Sequence, residues 1–233
     1  MDLRAILFDT FGTLVDWRGS LIEAFTAWGG EHGVAADWPA LADAWRGEYK
    51  PSMDAVRRGD QPWTALDDLQ RESLARLAPR FGLALDDPAL DRLTHLWHRL
   101  RPWPDSAPGL ARLRHRFLLA PLSNGNTALL ADLARYAGLG FDTILGADVF
   151  RHYKPDPETY LGACRLLSAP PGRVMMCAAH NADLAAARAL GLRTAFIPRP
   201  AEHGPGQTAD LAPEGDWDIV AASVEALAER LGC

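Results

Sequence analysis

The chain has 233 residues, of which 48% are hydrophobic and 23% are charged, a balance typical of a folded globular protein and not of a disordered or fibrous one. Its formal net charge is -6 and it has no dense run of lysine and arginine, which argues against nucleic acid or an anionic membrane as a partner. We therefore expect a small-molecule partner, and either one large domain or a main domain with an insertion.

The amino terminus and the cysteines bear on the compartment. The first residues, MDLRAILFD, enter an apolar segment that is too short to span a membrane and lacks the arrangement of a signal peptide. Cys164, Cys177 and Cys233 are odd in number and share no CxxC spacing, so they indicate neither a disulfide framework nor a zinc site. We interpret Cys177 as a buried packing residue and expect a cytoplasmic protein.

Short apolar segments recur along the chain and are typical of buried parallel strands. They are LRAILFD at the start, FLLAPLSN near residue 120, RVMMCAA near 175, LRTAFIP near 195 and WDIVAAS near 220. Helix-like segments such as TALLADLARYAGL and PETYLGACRLL lie between them, and Pro155 is predicted to open the second of these helices. This alternation predicts an α/β protein with a doubly wound, Rossmann-like parallel sheet.

Residues 17–100 break the alternation. They contain LIEAFTAWGG, ALADAWRGEY, ALDDLQRESLARLAPRFGL and ALDRLTHLWHRL, all with apolar residues at helical spacing. We predict a helical cap domain, inserted after the first strand and lying over the carboxyl edge of the sheet. The α/β core domain would comprise residues 1–16 and 101–233, with the proline-rich RPWPDSAPG as the return hinge.

The first apolar segment ends on Asp9 and continues into a turn, in the sequence LFDTFGTLVD. Ligands of open α/β sheets bind at the carboxyl ends of the strands, and Gly12 allows the turn to direct backbone amides at an anion. Asp9 therefore suits the role of a nucleophile. An aspartate that only caps a turn would give the same pattern.

Four segments, taken in order, resemble the motifs of the haloacid dehalogenase superfamily. LFDTFGTL resembles the first motif, and LSNGN, with Ser123 and Asn124, resembles the second. HYKPDPETY supplies Lys154 as the third, and AAHNADLAAARALGL supplies Asp183 as the fourth. Four ordered motifs at strand ends are far more specific than any one of them.

Phe11 narrows the resemblance to the 2-haloacid dehalogenase (type II) branch. Phosphatases of the superfamily typically carry a second aspartate at this position, which protonates the leaving group of a phosphate ester. A phenyl ring cannot do so, and phosphoryl transfer would lose roughly a hundredfold or more in rate. Departing halide needs no such acid, so the substitution favours cleavage of a carbon-halogen bond.

The resemblance implies roles for four charged or polar residues. Arg46 matches an arginine in a cap helix of the branch and would attract the substrate anion and the departing halide. Lys154 would keep Asp9 ionised, Tyr160 would support the site, and Asp183 would hold Lys154 or position water. A surface arginine, a core tyrosine and a carboxylate at a helix amino terminus are the structural alternatives.

His180 departs from the usual pattern of the branch. Ala178, Ala179 and His180 stand where a Ser-Ser-Asn sequence often lies, although AAHN resembles a distinct subgroup. His180 would contact halide or water, and the alternative is a histidine with a purely structural role.

The resemblance implies a two-step hydrolysis of a short haloacid that needs no cofactor and no metal. Asp9 would displace halide from C2 to form an ester, and water would attack the Asp9 carbonyl carbon, which leaves C2 inverted overall. Thr13 would orient Asp9, and closure of the cap would exclude bulk water. Four groups would hold the substrate carboxylate: the side chains of Ser123 and Asn124 and the amides of Thr10 and Phe11.

Two other functions remain open. One is a magnesium-dependent phosphatase of the same fold, with Asp9 and Asp183 as metal ligands, and the other is a non-catalytic relative that binds a small acid or another protein. The formation of a homodimer, the preferred haloacid and the ability to expel fluoride are also left open by the sequence.

Overall fold

A six-stranded parallel sheet forms the centre of the fold in the computed structural model, which describes residues 1–233. Eight strands occur in chain order: β1 Ala5–Phe8, β2 Val15–Asp16, β3 Arg101–Pro102, β4 Leu118–Ser123, β5 Leu145–Gly146, β6 Val174–Ala178, β7 Arg193–Phe196 and β8 Ile219–Val220. The sheet has the order β5-β4-β1-β6-β7-β8, and all its neighbouring strands are parallel. The predicted doubly wound α/β fold is confirmed.

Ten α-helices surround the sheet or lie beside it. They are α1 Trp17–His32, α2 Trp38–Arg57, α3 Leu66–Leu77, α4 Asp87–Thr94, α5 Ser106–Leu113, α6 Thr127–Ala137, α7 Ala147–Phe150, α8 Pro157–Leu166, α9 Asn181–Ala189 and α10 Val224–Arg230. Short 3-10 helices cover Ala78–Phe81, His95–Arg99, Pro171–Arg173 and Gly204–Gly206. No helix is both long and apolar enough to cross a membrane.

Strand β1 lies at the point where the order of the sheet reverses. The chain passes from β1 to β4 on one side of it and later to β6 on the other. All four residues of β1 are fully buried, because helices cover both faces of the sheet and the strand is apolar throughout. Ligands of doubly wound folds bind beyond the carboxyl end of a strand at such a reversal. Strand β1 ends at Phe8, so we expect the ligand site next to the residue that follows it.

Helices α1 to α4 lie between β2 and β3, which pair as an antiparallel ribbon. Trp45 of α2 and Trp97 are buried, and their rings meet edge to face with centroids 5.6 Å apart. One apolar cluster of 43 buried residues joins these helices to the sheet. Because this cluster is continuous, the division into a core and a cap at residues 17–100 stays a prediction.

In the return segment, Arg101 and Pro102 pair with β2 and α5 begins soon after, at Ser106, so its role as a hinge stays a prediction. One local prediction was wrong. Helix α8 begins at Pro157 and not at Pro155, with Asp156 at its amino-terminal cap. A proline suits the first helical position because its missing N–H would have no partner there, and Pro157 takes that position.

Candidate active site

Three adjacent strands end at the same edge of the sheet and carry the polar residues of the site. Asp9 follows β1 directly, Ser123 ends β4, and His180 lies two residues beyond β6. The Asp9 amide donates to the Cys177 carbonyl oxygen at 3.0 Å, which extends the pairing of β1 and β6 by one residue. This pairing fixes the backbone from which the Asp9 side chain projects.

The buried Asp9 carboxylate accepts three hydrogen bonds from side chains. Lys154 Nζ lies 3.0 Å from Oδ1, while Thr13 Oγ1 and His180 Nδ1 lie 2.7 and 3.1 Å from Oδ2. Burial alone would raise the pKa of Asp9, but the Lys154 charge and the His180 hydrogen bond hold it well below its usual range. Asp9 is therefore an ionised carboxylate at neutral pH.

Lys154 bridges two carboxylates. Its Nζ lies 2.5 Å from Asp183 Oδ2 as well as 3.0 Å from Asp9 Oδ1, and Tyr160 Oη donates to Asp183 Oδ1 at 2.6 Å. Burial opposes the charge of Lys154, but the two carboxylates outweigh it and raise the pKa above its usual range. The Lys154 amide donates to Asn124 Oδ1 at 2.7 Å, so the loop that carries the lysine is tied to the end of β4.

Thr13 has a fixed hydroxyl orientation. Its Oγ1 accepts a hydrogen bond from the Ala179 amide at 2.9 Å and donates to Asp9 Oδ2. The Thr13 carbonyl oxygen accepts from Arg199 Nε at 2.9 Å, and Arg199 forms a buried bidentate pair with Asp105 at 2.8 Å. Thr13, which donates to the Asp9 carboxylate, is thus held by Ala179 at its hydroxyl and by Arg199 at its carbonyl oxygen.

Arg46 projects from α2 toward the strand ends. Its guanidinium carbon lies 3.9 Å from the centroid of the Tyr49 ring and 5.4 Å from that of Trp17. Its Nη1 is buried and has no hydrogen-bond partner within the protein. A buried cationic donor without a partner is costly, so this nitrogen is suited to an anion.

A cleft of about 350 Å³ lies between α2 and the strand ends. Eight of the predicted site residues line it: Asp9, Phe11, Arg46, Asn124, Lys154, Tyr160, His180 and Asp183. Its volume is at the lower end of the range for small-molecule sites. Arg57 of α2 pairs with Asp156 across the rim, at 2.7 Å, and also with Asp54 at 2.9 Å.

Three predicted residues lie behind the cleft and do not line it: Thr10, Thr13 and Ser123. The Thr10 hydroxyl is buried without a partner, and Ser123 Oγ accepts a hydrogen bond from the Gly125 amide at 3.3 Å. The amides of Thr10 and Phe11 donate no hydrogen bond within the protein. The Thr10 and Phe11 amides are therefore free to donate to a ligand.

Glu202 belongs to the site and was missed by the sequence analysis. It is 1% exposed, lies in the connection between β7 and β8, and receives hydrogen bonds from His180 Nε2 at 3.0 Å and from Trp17 Nε1 at 3.1 Å. Burial would lower the pKa of His180, but its hydrogen bonds to Asp9 and Glu202 outweigh burial and raise that pKa to about 10. Burial would raise the pKa of Glu202, but the contacts with His180 lower it.

A magnesium-dependent phosphatase is one of the functions that the sequence leaves open, and the donor set here does not fit that ion. Magnesium requires several free oxygen ligands in octahedral geometry. All four oxygens of Asp9 and Asp183 already accept hydrogen bonds, three of them from Lys154 or His180. The Lys154 ammonium lies between the two carboxylates that would have to hold the cation, and Phe11 offers no side-chain ligand.

The parallel sheet and this charged cluster at its carboxyl edge are those of an enzyme that acts on a small molecule. The model of the haloacid dehalogenase-like hydrolase family matches residues 3–191, and the chain belongs to this family.

Relatives within the family agree with this assignment. The (S)-2-haloacid dehalogenase 4A of Burkholderia cepacia is 31% identical over 205 residues, which cover 84% of each chain. The crystal structure of the L-2-haloacid dehalogenase PA0810 shares 60% identity, with a TM-score of 0.96 over 98% of both chains. The crystal structure of the defluorinating L-2-haloacid dehalogenase Rha0230 shares 49% identity, with a TM-score of 0.97 over 99% of this chain and 96% of that one.

Proposed function

We propose that this protein is a hydrolytic (S)-2-haloacid dehalogenase, which converts short 2-haloacids to 2-hydroxyacids. One observation carries the proposal: the buried, ionised Asp9 faces a small cleft together with Arg46, whose Nη1 has no partner within the protein. A nucleophile opposite an unpaired cationic donor suits a reaction that expels an anion from carbon. The names of the similar proteins point to the same reaction.

In the first step an Asp9 oxygen attacks C2 of the haloacid from the side opposite the halogen. The carbon-oxygen bond forms as the carbon-halogen bond breaks, and the halide leaves with the bonding electron pair toward Arg46. This step inverts C2 and gives an ester between Asp9 and the substrate. Lys154 contributes by keeping the nucleophile ionised, since it carries a fixed positive charge 3.0 Å away.

In the second step water attacks the carbonyl carbon of the ester. The bond between that carbon and the substrate oxygen breaks, and the 2-hydroxyacid leaves with one of the two protons of the water. The other proton is lost to solvent, which restores the Asp9 carboxylate. Asp183 is the carboxylate that we assign to positioning the water and accepting its proton, because it lines the cleft and Lys154 holds it close to Asp9. C2 takes no part, so the configuration set in the first step persists.

The substrate carboxylate needs donors distinct from the one that receives the halide. We propose that the amides of Thr10 and Phe11 and the side chain of Asn124 bind the substrate carboxylate. Ser123 would support the adjacent loop from behind the cleft. Both amides lack an acceptor within the protein, and they lie in the turn after Asp9. A short acid bound there would place C2 over the nucleophile.

We also propose that the reaction needs no metal and that residues 17–100 form a cap over residues 1–16 and 101–233. The first point is supported by the donor set, because Lys154 and His180 already neutralise the Asp9 carboxylate. The second is supported by the position of α2, which supplies Arg46 to a cleft whose opposite wall comes from the strand ends. A magnesium-dependent phosphatase is disfavoured by Phe11, which cannot protonate a leaving alcohol.

Halide release from the two enantiomers of 2-chloropropionate tests the proposal. We expect the S enantiomer to yield chloride and (R)-lactate in stoichiometric amounts, and the R enantiomer to be left unchanged. A phosphate ester such as p-nitrophenyl phosphate, offered with magnesium, serves as the comparison. Rapid cleavage of the phosphate ester and no chloride from either enantiomer would overturn the proposal in favour of the phosphatase.

A further inference from the structure

His180 lies between two carboxylates and donates to both. Its Nδ1 is 3.1 Å from Asp9 Oδ2, and its Nε2 is 3.0 Å from Glu202 Oε2. A carboxylate only accepts hydrogen bonds, so both ring nitrogens must carry a proton for the two contacts to be hydrogen bonds. The geometry therefore describes an imidazolium held by two carboxylates.

Glu202 is held closely against the turn that carries the nucleophile. Gly12 has φ +86°, and a Cβ at this residue would lie 2.1 Å from Glu202 Oε1. Trp17 Nε1 donates to the same oxygen, and the Glu202 amide donates to the Arg199 carbonyl oxygen at 3.0 Å. A glycine at residue 12 thus leaves the space in which the Glu202 carboxylate lies. An unpaired buried carboxylate would be costly, and His180 removes that cost.

The two oxygens of Asp9 have unequal surroundings. Oδ2 accepts hydrogen bonds from Thr13 Oγ1 and His180 Nδ1. Oδ1 accepts one only from Lys154 Nζ, which also donates to Asp183. Each donor lowers the nucleophilicity of the oxygen that it contacts, so Oδ1 is the better nucleophile. Oδ2 then becomes the carbonyl oxygen of the ester, with two donors already directed at it.

We propose that His180 and Thr13 form the oxyanion hole for hydrolysis of the ester and that Glu202 is the positioning residue that holds His180 in this role. The inference rests on the proposed function. As the water oxygen bonds to the Asp9 carbonyl carbon, the C=O electron pair moves onto Oδ2. The pair returns when the bond to the substrate oxygen breaks, and the departing alkoxide takes the proton that the water has lost.

Preorganised donors at an oxyanion lower the barrier for the step in which that charge develops. Nucleophilic attack on C2 develops no charge on Oδ2 and requires only an ionised Asp9, which Lys154 secures on the other side. The pair of Glu202 and His180 should therefore serve the second step more than the first. This selectivity separates a role in hydrolysis from a general role in holding the fold.

Glu202→Gln tests this selectivity, because glutamine keeps the shape but removes the charge that stabilises the imidazolium. With enzyme in excess over (S)-2-chloropropionate, rapid quenching gives the rate of chloride release, and mass spectrometry of the intact chain gives formation and decay of the ester. We expect chloride release within about threefold of wild type, and ester decay slowed by about tenfold to a hundredfold, below the usual loss for deleting an oxyanion donor. Glu214→Gln is the matched control, since Glu214 is exposed in the same β7–β8 connection.

His180→Gln is the second variant, and it carries the test if Glu202→Gln does not fold. It should accumulate the ester in the same way. Equal slowing of chloride release and ester decay, or no slowing of either, would overturn the inference while the proposed function stands. Failure of the wild-type enzyme to release chloride would overturn the proposed function and the inference together.

Discussion

Lys154 Nζ lies 3.0 Å from Asp9 Oδ1. This contact belongs to a series of five side chains of alternating charge, with Asp9 in the middle. The series is Asp183, Lys154, Asp9, His180 and Glu202, and each neighbouring pair is in hydrogen-bond contact. Asp9 lies between the two cationic groups of this series, Lys154 and His180. Its charge is thereby fixed before any substrate binds, which is the condition for a carboxylate nucleophile in a poorly hydrated cleft.

Replacing the nucleophile should abolish turnover and leave the fold intact. Asp9→Asn keeps the shape, and each neighbouring cation retains a carboxylate, Lys154 with Asp183 and His180 with Glu202. We expect chloride release below a few per cent of wild type and a change of no more than about 2 kcal/mol in the free energy of unfolding. Urea denaturation and chloride assays measure both quantities. Substantial turnover, once mass spectrometry has excluded deamidation of the introduced asparagine, would refute the assignment.

Removing Lys154 should shift the acid limb of the pH profile upward. Burial tends to raise the pKa of Asp9, and Lys154 is the main influence that opposes it. In Lys154→Met, Asp9 should be protonated at a higher pH, and because only the carboxylate attacks C2, activity should fall as the pH is lowered from neutral. The pH dependence of kcat/KM for chloride release measures the shift. An acid limb at the wild-type position would contradict this account of Lys154.

Chelation should not affect the reaction. Displacement at carbon transfers no phosphoryl group whose charge a cation must neutralise, and the Asp9 carboxylate already has Lys154 and His180 beside it. We expect the same rate of chloride release before and after dialysis against EDTA. Loss of activity in EDTA that magnesium restores would show that a metal takes part.

The charged groups around the buried His98 should make stability depend on pH. His98 Nδ1 lies 2.9 Å from Asp132 Oδ2, and its Nε2 lies 3.2 Å from Asp67, while His95 stacks on its ring and Arg99 lies nearby. Burial would lower the pKa of His98, but the two carboxylates outweigh it and raise that pKa above the usual 6.5. Because the folded-state pKa is the higher one, the stabilisation is fully present below about pH 6.5 and is lost as the pH rises through the folded-state value.

His98→Gln removes this titration and provides the measurement. Wild type should be more stable than His98→Gln by a larger margin at about pH 6 than at about pH 9. Taking the difference cancels the titration of groups elsewhere in the chain. A difference that is constant or that grows with pH would contradict the assignment.

The sequence predicted those parts of the site that depend on strand order. Asp9, Ser123 and His180 each follow an apolar segment, and parallel strands bring such residues to one edge regardless of the loops between them. Glu202 lies in AEHGPGQ, which has neither helical nor strand spacing. Its position depends on the approach to Gly12, some 190 residues earlier in the chain, and no local pattern encodes that contact.

The pairing of Arg101–Pro102 with Val15–Asp16 was missed for a similar reason. Two residues are too few to give a periodic signal, and the partners are separated by the whole of α1 to α4. The helices themselves were predictable because each has apolar residues at helical spacing over two turns or more. Composition and periodicity thus predicted the elements, whereas the contacts between distant loops required the structure.

An isotope experiment can identify the atom that attacks C2. We propose a single turnover of (S)-2-chloropropionate in H₂¹⁸O with enzyme in excess, followed by mass analysis of the lactate and of the peptide that contains Asp9. If Asp9 attacks C2, the new hydroxyl oxygen of the first lactate comes from Asp9, so the lactate is unlabelled, has the R configuration, and leaves one ¹⁸O in the peptide. With substrate in excess, later turnovers should transfer this label to lactate, which provides the control. Direct attack of water on C2 would instead place the isotope in the lactate. First-turnover lactate that contains ¹⁸O, with none in the Asp9 peptide, would therefore exclude the ester even if chloride is released.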